Sequence, residues 1–237
     1  VGRANEQIKN DVCYSETNVK MIGLNTGVSY GPLASTHHAI DDISIMRGFG
    51  NIEIFAPCDG PEAAAVLNYA VTIDKPVYIR MDNADLPIIH DKKYEFRPGK
   101  IDILGYGKDI SIFAMGSMVS EAYIAAKLLE KKGIQATLVN FSSIRPHDSH
   151  RIKHILVESG CAVTVEEHSV HGGIGSLVSE TITESAIPVM LRRIGIPEGS
   201  FSVSGPRNEI RKHYGLNAEA IEGVCIALFQ LKNDICK

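Results

Sequence analysis

Short apolar runs alternate with longer amphipathic segments along most of this chain. The apolar runs have the length of buried strands and lie at 19–24, 51–56, 75–81, 101–106, 109–115, 134–140, 161–167 and 188–194. Apolar residues recur at helical spacing at 3–13, 39–49, from 60 onward, at 119–132, 148–158, from the turn at 172–175 to 186, and at 206–214 and 217–231. Strands that alternate with helices predict parallel sheets joined by right-handed crossovers.

The pattern is lost between residues 82 and 100, where the sequence is polar and carries Pro87, Pro98 and Gly99. Such a composition is typical of a linker between domains. The sequence therefore predicts an α/β protein of two successive three-layer domains with mainly parallel sheets. We place these domains at residues 1–95 and 96–237.

Composition excludes several classes of protein. Of the 237 residues, 44% are apolar, which is enough to bury a core without metal or disulfide support. The net charge of −4 gives no basic surface for nucleic acid, and no apolar run is long enough to span a membrane. The cysteines, Cys13, Cys58, Cys161, Cys225 and Cys236, are odd in number and irregularly spaced, so they predict neither a disulfide framework nor a zinc site. No signal segment is recognised, and we expect a reducing, cytoplasmic location.

The stretch from Gly31 to Asp42 is a candidate site. Its Gly-Pro start excludes helix, and Thr36 is expected to cap the helix that follows. His37 and His38 then lie where a loop becomes a helix, near backbone N–H groups of partial positive charge. That position suits an imidazole that handles protons or anions. Capping and packing explain the pair as well, and on residue type alone we favour that structural role.

Two further candidates follow the carboxyl ends of predicted strands, where ligands of open α/β sheets gather. Arg80 ends one strand and suits a phosphate or carboxylate, although an ion pair with Asp82 or Asp85 explains it equally well. Glu167 and His168 have the chemistry of an acid–base pair. For them, we prefer a hydrogen-bonded contact between the domains.

The glycine-rich turn at 172–175 resembles a loop that cradles phosphate. It lacks both the GxGxxG spacing and the lysine of a P-loop, so it is a weak nucleotide motif. The glycines are better explained as residues that permit a tight turn from strand to helix. We therefore assign no phosphate to this turn.

Several modest motifs occur in one order and at one spacing across both predicted domains. They lie at 2–11, 31–32 with 36–37, 76–80, 107–117, 163–168 and 172–175. Together they resemble the C-terminal part of transketolases, specifically the C-terminal section of the split, two-subunit kind. The resemblance runs from Gly2 to the last predicted helix. Deoxyxylulose-phosphate synthase and the beta subunits of 2-oxo acid dehydrogenases share the same two-domain plan.

The resemblance implies a transferase that moves a two-carbon ketol unit between sugar phosphates. The first domain would be most of a pyrimidine-binding domain, and the second a transketolase C-terminal domain. Thiamine diphosphate would lie between the first domain and an N-terminal, diphosphate-binding subunit. That partner would hold the diphosphate and its Mg²⁺, so no metal site is expected on this chain. The C-terminal domain would also make homo-oligomer contacts, as is common in the family.

The same resemblance implies roles for single residues. His37 would be the catalytic histidine beside the thiazolium and the substrate, and Arg80 would contact the substrate phosphate. Leu33 stands where transketolases usually carry Asp, Asn25 where they often carry His, and His38 where Gln is usual. All three would lie on the substrate side of the site. Because Leu33 cannot accept a hydrogen bond from a sugar hydroxyl, ordinary ketose phosphates need not be the substrates.

One part of the family's site is expected upstream of Val1, namely the glutamate that activates the aminopyrimidine and the aromatic residues that stack on it. Glu6 does not match that glutamate, so we expect this chain alone to be inactive.

Two alternatives to the transketolase function stay open. One is a beta subunit of a 2-oxo acid dehydrogenase, which Leu33 favours because a keto acid needs no hydroxyl acceptor there. The other is a non-catalytic assembly module.

Overall fold

The computed structural model describes residues 1–199 and 203–235, which form two sheets of mostly parallel strands flanked by helices. The strands are β1 (Lys20–Gly23), β2 (Glu53–Phe55), β3 (Val77–Arg80), β4 (Asp102–Gly105), β5 (Ile110–Ala114), β6 (Ala136–Asn140), β7 (Ser143–Arg145), β8 (Cys161–Ser169) and β9 (Met190–Ile196). The helices are α1 (Asn5–Gln7), α2 (Asp42–Arg47), α3 (Gly60–Ala70), α4 (Met118–Lys131), α5 (Ser149–Ser159), α6 (Ile174–Glu184), α7 (Arg207–His213) and α8 (Ala218–Ile235). The predicted α/β class with mainly parallel sheets is confirmed.

The first sheet has the strand order β1–β3–β2–β7. Strands β1, β3 and β2 run parallel, so their carboxyl ends lie at one edge. On one face of this sheet, Val66 and Ala70 of α3 form an apolar cluster with Phe55 and Ile79. Burial of these side chains removes apolar surface from water and holds α3 on the sheet.

Strand β7 is absent from the sequence-based prediction. It follows the second sheet's β6 along the chain but pairs antiparallel with β2 of the first sheet. Three residues before Pro146 are too few to show a strand periodicity, so only the folded chain reveals them. The chain therefore returns to the first sheet after entering the second, and the domain boundary placed at residues 95–96 stays a prediction.

The second sheet has the order β4–β6–β5–β8–β9, in which only the edge strand β4 runs antiparallel. Alternate residues of β5 point to opposite faces, as the pleat of a strand requires. Ile110 and Ile112 join the cluster that contains buried residues of α4 and α8. Phe113 joins the cluster that contains those of α5 and α6. Helices thus cover both faces, which gives three layers.

The cluster beneath α5 and α6 also reaches the first sheet. Ile54 of β2 and Met46 of α2 belong to it together with Ile152 and Leu177. All four side chains are buried. The two sheets are therefore joined by a continuous apolar core as well as by the polar contacts described below.

Two predicted elements at the start of the chain differ in the structure. The helix expected at 3–13 is three short pieces, a 3₁₀ turn at Gly2–Ala4, α1, and a π-helix at Ile8–Tyr14. The apolar run at 19–24 predicts a buried strand, but β1 lies at the sheet edge and Ile22 is 48% exposed. An apolar run alone does not distinguish an edge strand from a central one.

The helix predicted from residue 39 begins only at Asp42. Ala39 instead pairs with Gly27, through backbone N···O distances of 2.8 and 3.0 Å in the two directions. Thr36 therefore caps no helix, and that prediction was wrong. Its hydroxyl oxygen lies 3.0 Å from His37 Nδ1. The Gly27–Ala39 pair closes a loop, residues 27–39, which we call the histidine loop.

A buried ion cluster centred on Glu167 joins the second sheet to the first. The carboxylate of Glu167, at the end of β8, accepts hydrogen bonds from Arg207 and Arg211 of α7. Arg207 also forms an ion pair with Asp82, which follows β3. Burial raises the pKa of Glu167, but the two arginines outweigh it and hold that pKa below the ordinary value. Glu167 is therefore an ionised link between the two sheets, as its preferred interpretation predicted.

The Glu167 cluster also fixes the histidine loop. The backbone N–H of Val28 donates to Glu167 Oε1 at 3.0 Å. Gly27 has φ +62°, and a Cβ there would collide with the Glu167 side chain. Farther along the loop, the carbonyl of Gly31 accepts a hydrogen bond from Gly205 N at 3.2 Å, just before α7. Residues from the second half of the chain thus hold the histidine loop, which belongs to the first half.

Among the described helices, none is long and apolar enough to cross a membrane. The four described cysteines are buried and free. Cys236, the fifth cysteine of the sequence, lies outside the described residues.

Removal of the Glu167 charge should destabilise the protein strongly. The variant Glu167→Gln leaves Arg211 without its carboxylate partner, and loss of one member of a buried ion pair costs about 3–5 kcal/mol. The matched control is Glu180→Gln, whose pair with Arg47 is half exposed and is worth about 0–1 kcal/mol. Urea unfolding of the two variants measures the difference. Equal midpoints would contradict a central role for Glu167.

Candidate active site

The histidine loop lies at the carboxyl-end edge of the first sheet and presents His37 to solvent. His37 is exposed, and its Nδ1 atom contacts the hydroxyl of Thr36 at 3.0 Å. The ring of Tyr30 lies 6.0 Å from the His37 ring, tilted by 54°. The hydroxyl and the aromatic ring limit the orientations of the imidazole, while one side of it stays accessible to a ligand.

His38 lies deeper than His37 and is half-buried. Its Nε2 atom is buried and makes no hydrogen bond with the described residues. Burial lowers the pKa of His38, while a backbone hydrogen bond with Gly31 and the charge of Glu167 oppose that shift. A neutral imidazole with one unsatisfied nitrogen is therefore directed into the interior behind His37.

Leu33 lies within the histidine loop, and Asn25 lies two residues before it. Leu33 is the last residue of the 3₁₀ turn Gly31–Leu33 and is 52% exposed, so its apolar side chain meets solvent. Asn25 is half-buried and has a left-handed backbone, with φ +59°. Asparagine tolerates that conformation better than most residues do. The roles of both residues in substrate binding stay predictions.

Arg80 is 3% exposed and is enclosed by groups of its own chain. Its Nε donates to Asp42 at 2.9 Å, and its Nη2 donates to the carbonyls of Ala39 and Glu167, each at 3.0 Å. The ion-pair partner is therefore Asp42, not Asp82 or Asp85 as the sequence suggested. Asp42 starts α2 and is brought to Arg80 only by folding. These contacts place Arg80 beneath the histidine loop, and its contact with a phosphate stays a prediction.

The glycine turn at 172–175 binds a carboxylate of this chain. Glu166 accepts hydrogen bonds from the backbone N–H groups of Ile174 at 2.8 Å and Gly175 at 2.9 Å. These N–H groups begin α6, where the helix dipole favours negative charge. A Cβ on Gly173 would collide with the Glu166 carboxylate. The turn thus has the geometry of an anion site, and Glu166 occupies it.

Glu166 and His168 have opposite pKa shifts. Burial raises the pKa of Glu166 to about 7, against the lowering effect of the Gly175 and Ile174 N–H groups. Burial lowers the pKa of His168 to about 4, although Asp42 raises it. His168 Nδ1 donates to the carbonyl of Ser169 at 2.8 Å. Glu167 is buried as well, so Glu167 and His168 do not form an exposed acid–base pair.

Sequence reasoning missed a second polar cluster next to the linker. Cys58, Asp59, Glu62 and His90 are all buried, and their ligating atoms lie within 4.8 Å of one another. Asp59 caps α3 and Glu62 lies in its first turn, whereas His90 comes from the irregular segment that follows β3. A Cys-Asp pair at a strand end followed by an acid three residues later is the signal that was available. The distant histidine was not predictable from spacing.

The two shifted groups should give opposite pH dependences of stability. The folded-state pKa of His168 is depressed from 6.5 to about 4, so its contribution is present above pH 6.5 and is lost as pH falls. That of Glu166 is raised from 4.5 to about 7, so its contribution is present below pH 4.5 and is lost as pH rises. The free energy of unfolding of His168→Gln, minus that of the wild type, should therefore increase as pH falls towards 4. The same difference for Glu166→Gln should increase as pH rises towards 7. Each gain should be about 3 kcal/mol, at 1.36 kcal/mol per pKa unit.

Urea unfolding at half-unit steps from pH 4 to pH 8 measures these gains. Glu180→Gln serves as the control, because its carboxylate is half exposed. A constant difference between wild type and His168→Gln over this range would contradict the buried, neutral state of His168.

Comparisons with known proteins give the family. Residues 1–88 match the transketolase pyrimidine binding domain, and residues 99–221 match the transketolase C-terminal domain. The chain is 50% identical over 228 residues to an apulose-4-phosphate transketolase subunit of Actinobacillus succinogenes, covering 96% of this chain and 73% of that protein. It is 42% identical to a protein of the same name from Phocaeicola vulgatus, covering 93% of this chain and 70% of that one.

A solved structure of a split gene transketolase, described as an inactive beta4 tetramer, superposes with a TM-score of 0.86 at 34% identity. It covers 98% of this chain, and this chain covers 73% of it. The motifs that suggested the resemblance, the two matched domains and these relatives agree. The chain therefore belongs to the transketolase family.

Proposed function

We propose that this chain is the C-terminal subunit of a two-subunit transketolase that transfers a two-carbon ketol unit between sugar phosphates. The observation that carries the proposal is the exposed His37 on a loop that the Glu167 cluster holds at the sheet edge. The 50% identity to one subunit of an apulose-4-phosphate transketolase supports it. That relative is named as a subunit, so we also propose a partner chain for this protein, namely the diphosphate-binding subunit.

Transketolases use thiamine diphosphate and a divalent metal ion, and the described residues fit part of that cofactor. The exposed imidazole of His37 suits the substrate side of the thiazolium ring, and His38 packs behind it. The glycine turn is filled by Glu166, so it does not offer its N–H groups to a diphosphate. This division supports our proposal that the partner holds the diphosphate and Mg²⁺. When bound, the cofactor supplies the nucleophilic carbon that breaks and forms the carbon–carbon bond.

His37 would move a proton at an oxygen of the substrate. Its contact with the Thr36 hydroxyl at 3.0 Å leaves the Nε2 side of the ring free to meet that oxygen. Imidazole is the side chain that enzymes most often use for such proton transfers. Arg80 would also position the site, because its contacts with Asp42 and Ala39 hold the start of α2 and the end of the histidine loop.

The substrate proposal follows from Leu33 and from the relatives. Leu33 exposes an apolar side chain, which accepts no hydrogen bond from a sugar hydroxyl. Two relatives, at 50% and 42% identity, are named for apulose 4-phosphate. We therefore propose that apulose 4-phosphate is the first ketose phosphate to test as donor. The subunit alone is proposed to be inactive, and its homo-oligomer contacts to involve the C-terminal domain.

Reconstitution tests the proposed function. The natural-length subunit, its diphosphate-binding partner, thiamine diphosphate and Mg²⁺ are combined with apulose 4-phosphate and an aldose phosphate acceptor. We expect ketol transfer by the mixture and none by either subunit alone. A panel of other ketose phosphates and pyruvate is assayed in parallel. Absence of transfer from every ketose phosphate would overturn the proposal, and decarboxylation of pyruvate would favour the dehydrogenase-type alternative.

Substitution of His37 tests the assigned role within that enzyme. His37→Ala should lower kcat of the reconstituted enzyme about 10²- to 10⁴-fold, the range for loss of a general acid–base group. The urea unfolding midpoint of the variant should equal that of the wild type, which separates a chemical role from a folding defect. His150→Ala is the control, because His150 is an exposed residue of α5. Activity of His37→Ala equal to that of the control would contradict the role.

A further inference from the structure

We propose that Cys58, Asp59, Glu62 and His90 form a zinc site that ties the linker to the first turn of α3. One ligating atom from each of these residues lies within 4.8 Å of the other three. A thiolate, an imidazole nitrogen and two carboxylate oxygens are ligands that zinc accepts in tetrahedral geometry. The site is separate from the histidine loop and independent of the proposed transketolase reaction.

The distances are close to those of a zinc site. Ligands bound to zinc at their usual lengths lie about 3.3–3.8 Å apart at a tetrahedral angle. His90 Nδ1 lies 3.8 Å from Cys58 Sγ and 3.0 Å from Asp59 Oδ2. The widest separation in the set, within 4.8 Å, needs to close by about 1 Å to reach the tetrahedral range. Side-chain rotation supplies a movement of that size.

Other residues already orient the proposed ligands. His90 Nε2 lies 2.8 Å from Asp102 Oδ2, so the carboxylate of Asp102 accepts the Nε2 proton, while Nδ1 faces Asp59 Oδ2 at 3.0 Å and Cys58 Sγ at 3.8 Å. A carboxylate behind a histidine is the usual arrangement at zinc sites. The Glu62 carboxylate accepts hydrogen bonds from the amide of Asn140 at 2.9 and 3.0 Å and from Cys58 N at 2.8 Å. These contacts hold the ligands where a metal would meet them.

The charge balance of the cluster favours a divalent cation. Asp59, Glu62 and Asp102 bring three carboxylates together. His90 pairs with Asp59 and Asp102, and the backbone N–H groups of Glu62, Ile89 and His90 donate to Asp59, whereas Glu62 forms no ion pair with the described residues. The Asp59 and Glu62 side chains are buried, and buried negative charge without a matching cation is costly. A Zn²⁺ ion neutralises that excess. Coordination releases the Cys58 thiol proton and any proton on His90 Nδ1 to the buffer.

A nucleophilic role for Cys58 fits less well. Cys58, His90 and Asp102 have the order of a catalytic triad, but Cys58 is 3% exposed. Burial and the neighbouring Glu62 raise the pKa of its thiol, whereas a reactive cysteine needs a lowered pKa.

A cavity of about 440 Å³, lined by Asp59, Gly60 and Met81 among others, adjoins the cluster.

Cobalt substitution tests the site directly. The natural-length subunit, stripped with a chelator and desalted at neutral pH, is titrated with Co²⁺ and then with Zn²⁺. We expect a thiolate-to-cobalt charge-transfer absorption that saturates at one equivalent and is abolished by Zn²⁺. Zinc should also raise Tm, because a ligand that binds only the folded state stabilises it. Absence of the thiolate band in the wild type would overturn the proposal and would leave the cluster as a hydrogen-bonded network.

Variants identify the ligands. Cys58→Ser and Asp59→Asn preserve size, and Asn still caps α3, while His90→Asn keeps a polar group near the Nδ1 position. Each should lower zinc affinity at least 10-fold, and Cys58→Ser should remove the thiolate band. The controls are Cys225→Ala, a buried thiol elsewhere, and His154→Ala, an exposed imidazole of α5. Both controls should bind zinc as the wild type does. Loss of the band in Cys225→Ala, or its retention in Cys58→Ser, would overturn the assignment.

Discussion

The Glu167 carboxylate lies between two arginines of α7, and the segments around the candidate site contact it or its partners. Val28 of the histidine loop donates its N–H to Glu167, and Arg207 joins Glu167 to Asp82 at the end of the first sheet. Buried charges are costly to desolvate, so such a cluster is stable only when every member is paired. A displacement of α7 would leave Glu167 unpaired. The position of the histidine loop therefore depends on the docking of the second domain.

Two other anion-binding features of this chain also bind carboxylates of the chain itself. The N–H groups at the start of α6 bind Glu166, and the guanidinium of Arg80 binds Asp42. Both features have the chemistry of an anion site, and in this chain the α6 N–H groups hold the Glu166 carboxylate while Arg80 pairs with Asp42. They contribute rigidity beneath the loop, while His37 is left exposed above them. This arrangement is the basis for the proposal that a second subunit contributes the diphosphate contacts.

Periodicity predicted most of the fold. The runs of β3, β5, β6 and β8 are mostly apolar because buried parallel strands have apolar neighbours on both faces, and these strands lie where expected. The elements that periodicity predicted wrongly or not at all have local explanations. β7 is too short to show a period, and β1 lies at an edge although its sequence is apolar. The start of α2 moved to Asp42 because Ala39 pairs with Gly27, a contact that no helical pattern reveals.

The sequence by itself determined the α/β class, most of the strands and helices, and the resemblance that the comparisons confirmed, and that resemblance singled out His37. These depend on the identity and spacing of residues along the chain, which are known without the contacts between distant segments. Tertiary structure decided which polar groups are buried and with whom they pair. Arg207 meets Asp82 across 125 residues, and Glu167 meets Val28 across 139. Such pairs exist only after both sheets have docked, because burial of a charge is tolerable only with its partner in place.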